Sequence, residues 1–124
     1  MTRAILAGLI IVAAAALFLV SPVLAAQCSG TVGKASFYSD AHHGRTTASG
    51  EPFNMNALTA AMPSRKHLGQ RYRVTAGNRS VEVRINDVGP AKRLNRVIDL
   101  SRASFEKLAP LRQGIVRVCL ERVR

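Results

Sequence analysis

RYRVTAGNRSVEVRIN, running from Arg71 to Asn86, is the stretch on which the fold turns. Its apolar residues recur at every second position: Tyr72 and Val74 first, then Val81, Val83 and Ile85. Arg71, Arg73, Glu82 and Arg84 take the positions between. Period two marks a half-buried strand, because successive side chains leave a strand on opposite faces. Gly77-Asn78 separates the two runs, and glycine supplies the positive φ that a tight turn needs. The stretch therefore predicts a β-hairpin with one face in a core and the other in solvent.

Toward the C-terminus, Asp87 to Arg96 reads as a turn-rich basic loop containing Gly89-Pro90. Val97 to Leu100 is a short strand. Ser101 is placed to cap a helix, its hydroxyl accepting from an early backbone N–H. That helix is expected to run to about Ala109, with Phe105 and Leu108 on one face, and to stop at Pro110. Gly114 to Val123 is the closing strand. Toward the N-terminus, Pro63 to Gly69 is a loop and Ala57 to Ala61 a short strand. Ser39 to Pro52 is dense in Gly, Ser, Thr, His and Asp, and a loop of that length in a small domain is commonly functional or disordered. Lys34 to Tyr38 is the first strand. The sum is a mostly-β domain of about six short strands and one short helix, which suggests a small closed barrel, since closure removes the sheet edges.

The chain opens with Met1-Thr2-Arg3, an apolar run from Ala4 to Val20, the helix breaker Ser21-Pro22 and small residues ending at Ala25. Charge, apolar run and small-residue site in that order make a secretory signal over residues 1–25, with cleavage expected after Ala25 and an uncleaved anchor as the alternative. Gln27 before Cys28 argues against a lipoprotein. The expected location is the periplasm or cell envelope. Residues 26–33 read as a short polar lead-in and 34–124 as the domain. Cys28 and Cys119 are the two cysteines, and in an oxidising compartment they are expected to form a disulfide. The chain has 18 Lys and Arg against 7 Asp and Glu, a net charge of +11, with only Arg3 in the leader. Such a field attracts polyanions. Export and the scarcity of stacking aromatics argue against nucleic acid and favour anionic envelope polymers. A monomer is expected.

Three stretches carry candidate chemistry: Gly44 to Glu51 after His42-His43; Leu58-Thr59-Ala60-Ala61; and Ile85 to Pro90 followed by Val97 to Ser101. With Ala35-Ser36-Phe37-Tyr38, His43-Gly44, Thr47-Ala48-Ser49-Gly50-Glu51, Asn86 to Pro90 and Ile98-Asp99-Leu100-Ser101, the chain resembles the rare lipoprotein A family of cell-wall lytic transglycosylases from Gly33 to about Val123. The resemblance implies a six-stranded double-psi β-barrel. It implies endolytic cleavage of peptidoglycan glycan strands without water, preferentially strands stripped of stem peptides, leaving 1,6-anhydro ends.

Breaking a glycosidic bond needs an acid that stays protonated near neutrality. A hydrolase adds a second carboxylate. A lytic transglycosylase can reuse one group, which gives its proton to the leaving oxygen and takes one from the sugar's C6 hydroxyl. On the motif loops the expected acid/base is Asp87, with Glu51 assisting across the groove. Tyr38, His43, Arg45, Thr47 and Asn86, in or beside the matched blocks, are expected to bind substrate. Asp99 reads as a structural residue, capping or bonding backbone. Two positions depart from the family: Met62 stands where it has a histidine after Thr-Ala-Ala, and Val88 where it has an arginine. His67 is the nearest substitute for the missing imidazole. No cofactor is expected, and no metal, since His42-His43 lacks further ligands at suitable spacing. Two other functions fit the same residues: a non-catalytic wall-binding module of the expansin type, and a small secreted glycoside hydrolase using Asp87 and Glu51.

Overall fold

The computed structural model describes residues 28–90 and 95–124. The signal, its cleavage site after Ala25, and Lys92 and Arg93 of the basic loop lie outside the described residues. Six strands appear: β1 (Thr31–Phe37), β2 (Thr59–Met62), β3 (Arg71–Ala76), β4 (Arg79–Val88), β5 (Arg96–Leu100) and β6 (Val116–Val123). One short helix, α1 (Arg102–Glu106), follows β5. The strands close in the order β1-β5-β2-β4-β3-β6. Two neighbouring pairs are parallel, β1 with β5 and β2 with β4, and the other four are antiparallel. The expected hairpin is β3–β4, with Tyr72 facing Val83 and Val74 facing Val81 across the ladder.

The barrel interior is filled by the residues that the alternation selects. Val74, Val83, Ile85, Ile98 and Leu100 are fully buried, each contributing about 1.5–3 kcal/mol by leaving water. Phe105 of α1 joins them, its ring 4.7 Å from that of Phe37. Ser101 caps α1 as expected, its hydroxyl accepting from the Ser104 N–H at 3.2 Å. The helix ends at Glu106, before the expected Ala109, and a hydrogen-bonded turn carries the chain to Pro110.

Three expected boundaries shift, each because of long-range pairing. β1 begins at Thr31, where Thr31, Val32 and Gly33 pair with Leu120, Cys119 and Val118. Those three residues therefore belong to the barrel and not to a lead-in over 26–33. Gly33 is needed there, because a Cβ would run into the Val97 side chain. β2 ends at Met62 rather than Ala61. β4 continues through Asp87 and Val88, which pair with Ala61 and Met62, so Asp87 lies in a strand and not in a turn. The expected disulfide joins Cys28 to Cys119 and ties the approach to β1 onto β6, with 5.8 Å between the Cα atoms.

Candidate active site

Each parallel pair carries one bulge. In β2–β4, Ala60 pairs with Ile85 and Ala61 with Asp87, so Asn86 is the extra residue. Ala61 also pairs with Asp99 of β5 on its other side. The register thus sets two aspartates on the two strands flanking one alanine, their backbones about 10 Å apart at the usual strand spacing.

Asp87 is half-buried and accepts three hydrogen bonds. The Tyr38 hydroxyl donates to Oδ2 at 2.6 Å, and the Ala48 and Val88 N–H groups donate to Oδ1, each at 2.9 Å. Tyr38 leaves the end of β1, its own N–H donating to the Leu100 carbonyl at 3.0 Å. Its ring is wedged edge-on against buried Phe53 at 4.6 Å, with His42 at 5.4 Å. Burial, then the bond to Asp87, then the charges of Asp87 and Asp99 push the phenol far above its usual range. Tyr38 is therefore a permanent donor to Asp87.

Asp99 accepts from the Ser36 hydroxyl at 2.9 Å. Burial pushes its carboxyl up to about 6, helped by the charge of Asp87 and opposed by the Ser36 bond, Arg96 and His42. Among the described residues it neither caps α1 nor bonds backbone; it is a largely buried carboxyl that holds its proton more tightly than an ordinary aspartate does.

Glu51 is fastened elsewhere. Both its oxygens face the Arg84 guanidinium, with Nη2 to Oε2 at 3.0 Å. Arg84 holds the carboxyl below the usual range, and the Asn86 and Ser49 side chains act in the same direction. The Glu51 carbonyl accepts from the Thr47 N–H and hydroxyl, at 2.9 and 2.8 Å. Thr47 and Asn86 are buried, and the Asn86 carbonyl accepts from the Ser49 N–H at 3.0 Å. These two therefore secure the loop over the barrel and do not line an open surface. The Ala48 N–H that reaches Asp87 is presented by this same clamped turn. His43 and Arg45 are exposed, and His43 Nδ1 accepts from the Met55 N–H at 3.2 Å.

Met62 is nearly covered and joins the hydrophobic core, while Val88 is exposed beside Asp87. His67 is bonded to the Tyr72 hydroxyl and Gln70, at 2.9 and 3.2 Å. Among the described residues no three His, Cys, Asp or Glu side chains gather as a metal site would need. The residue that sequence reasoning passed over is Asp99. Its signal was the alternation Ile98-Asp99-Leu100, which turns the carboxyl away from the core; that the outer face is itself covered is a long-range fact.

The lytic transglycolase family model matches residues 30–120. The endolytic peptidoglycan transglycosylase RlpA of Neisseria meningitidis serogroup A is 42% identical over 94 residues, covering 73% of this chain and 38% of that protein. Its counterpart from Rickettsia prowazekii is 44% identical, covering 72% and 29%. A probable RlpA from Synechocystis is 45% identical, covering 74% and 29%. The chain thus spans well under half the length of these relatives. Among solved structures, a Streptomyces papain inhibitor superposes with TM-score 0.61 at 27% identity, covering 76% of this chain and 94% of that one. Apo expansin from Clavibacter michiganensis gives 0.62 at 25%, covering 76% and 50%. The barrel is thus the double-psi fold that the motifs imply, and the chain belongs to the lytic transglycolase family.

Proposed function

We propose that this barrel is an exported endolytic transglycosylase that cuts peptidoglycan glycan strands in the cell envelope. It acts as a monomer on strands stripped of stem peptides and leaves 1,6-anhydro ends. The observation that carries the reading is Asp87, held at the edge of the barrel by Tyr38, Ala48 and its own strand, with a second carboxyl, Asp99, across Ala61.

The chemistry needs one proton delivered and one removed. The glycosidic oxygen takes a proton as its bond to the anomeric carbon breaks. The C6 hydroxyl of the same sugar attacks that carbon and gives up its proton, closing the anhydro ring. Asp87, surrounded by donors, is the carboxyl placed to exchange protons with the strand. Asp99, which holds a proton up to about pH 6, is its companion acid. Glu51 acts at one remove: paired with Arg84, it clamps the turn that presents the Ala48 N–H. His43 and Arg45 are the exposed loop residues that meet the sugar.

Incubating the oxidised protein with stripped strands and analysing products by mass spectrometry tests this. Anhydro-ended fragments are expected, reduced at least a hundredfold in Asp87→Asn with strand binding retained. Reducing ends in place of anhydro ends would make the protein a hydrolase. Met62 favours one other reading: with no imidazole at that position and an expansin among its structural neighbours, the barrel would be a wall-binding module. Binding with no products is the outcome that selects it.

A further inference from the structure

We infer that the barrel has a second subsite, for a carboxylate carried beside a methyl group, at the end where β2 leaves and β5 begins. A cavity of about 360 Å³ opens there. Met62, Val97 and Leu120 give it an apolar floor, and Lys66, His67 and Arg96 give it a cationic rim. No acidic residue lines it among the described residues. The Met62 side chain, turned inward where the family has a histidine, is part of what makes the floor apolar.

Two details make this more than a dent in a basic surface. Arg96 Nε is buried with no hydrogen-bond partner among the described residues. An unsatisfied buried donor is costly, and more so when charged, and a small shift of the Arg96 side chain would let an anion in the cavity satisfy it. His67 is held edge-on against Tyr72, with its Nδ1 engaged by Tyr72 and Gln70 and no bond to its Nε2 among the described residues. A rigid imidazole, a lysine and an under-satisfied guanidinium around an apolar floor select a ligand with a negative head and a small apolar shoulder.

The inference rests on peptidoglycan as the ligand. That polymer presents this chemistry in two places: the lactyl ether of a stripped strand, whose acid is freed when the peptide is removed, and the terminal alanine of a stem peptide. The subsite adjoins the catalytic face, because Arg96 lines the cavity and its charge also acts on Asp99.

Amide chemical shifts of the oxidised protein would be followed while N-acetylmuramic acid, D-alanyl-D-alanine or N-acetylglucosamine is added. One or both carboxylate probes should move the Ser64, Lys66 and Val97 amides in a saturable way, and the neutral sugar should not. Whichever carboxylate acts identifies the source, lactyl or peptide. Lys66→Gln, a change at an exposed side chain, and Arg96→Gln should each weaken that response about tenfold, while Asp87→Asn leaves it intact. The proposal is overturned if neither carboxylate probe moves those amides, if the neutral sugar moves them equally, or if both rim variants bind as before. Strand cleavage without these shifts would remove the subsite alone. Shifts without cleavage would remove the reaction alone.

Discussion

At the scale of single residues, the site asks the fold to hold an acid where water is scarce. Asp99 has an ordinary value of 3.8 unfolded and about 6 in the barrel, chiefly through burial. The folded state therefore binds this proton more tightly than the unfolded chain does. Its favourable contribution is complete below pH 3.8, is lost as pH rises toward 6, and the cost is constant above that. The shift corresponds to about 2–3 kcal/mol, a large part of a small domain's stability. Asp99→Asn should remove this dependence. Urea midpoints measured from pH 4 to 8 should show the variant gaining on the parent through that window and keeping about 2 kcal/mol at the top. Parallel curves for the two proteins would mean the carboxyl is not held protonated. Asp87 was legible in the sequence because it stands in a run of distinctive residues. Asp99 was not, because only the covering of β5's outer face turns an ordinary outward aspartate into an acid. Thr47 and Asn86 also stand in the motif, and the burial of their side chains beneath the loop is a long-range fact that no local pattern encodes.

At the scale of elements, alternation made β3 and the start of β4 readable, since each has one face in the core and one in water. The ends were not. Thr31 to Gly33 and Asp87-Val88 are strand because a distant strand is alongside, and no local pattern encodes that. The loop between β1 and β2 is likewise ordered by attachments beyond its own composition. Arg102 of α1 grips Asp40 with one nitrogen to both oxygens, at 3.1 and 2.9 Å, and the Met55 carbonyl accepts from the Ala103 N–H at 3.0 Å. The cysteine pair was readable, and its energetic weight follows from the chain it closes. With a sequence separation of 91 between partners, the disulfide restricts the unfolded chain by roughly 4 kcal/mol. Replacing both cysteines with serine should lower stability by about that much, read by chemical denaturation. Because Asp87 and Asp99 sit on β4 and β5, and the residues that bond them from β1, Ser36 and Tyr38, stand at the opposite end of that strand from Cys28, cleavage by whatever fraction stays folded should be unchanged. Loss of specific activity in fully folded variant would show that the seam positions the site as well as stabilising the barrel.

At the scale of the whole molecule, the charge of +11 finds few internal partners among the described residues. Glu51, Glu82, Asp40 and Glu106 are each taken by a nearby arginine, with Arg102 serving two of them, which leaves most cations facing outward. The proposed substrate, a stripped strand, repeats a carboxylate along its length, so on that reading protein and strand attract before they touch, and the attraction acts on encounter rather than on bond breaking. Raising ionic strength from about 0.1 to 1 M shortens the screening length from about 10 to 3 Å. Hence kcat/KM on stripped strands should fall by roughly tenfold over that range, while kcat at saturation stays level. Converting the lactyl acids to neutral amides should lower kcat/KM at low salt and abolish most of its salt dependence. If amidated strands respond to salt as steeply as the parent strands, the charge does not act through the substrate's carboxylates. The same comparison separates long-range attraction from the cavity beside Met62. Attraction spread over the surface weakens smoothly with salt and loses little from one substitution. A rim in which Arg96 and Lys66 hold a single acid loses its preference at once in either variant, at every salt concentration.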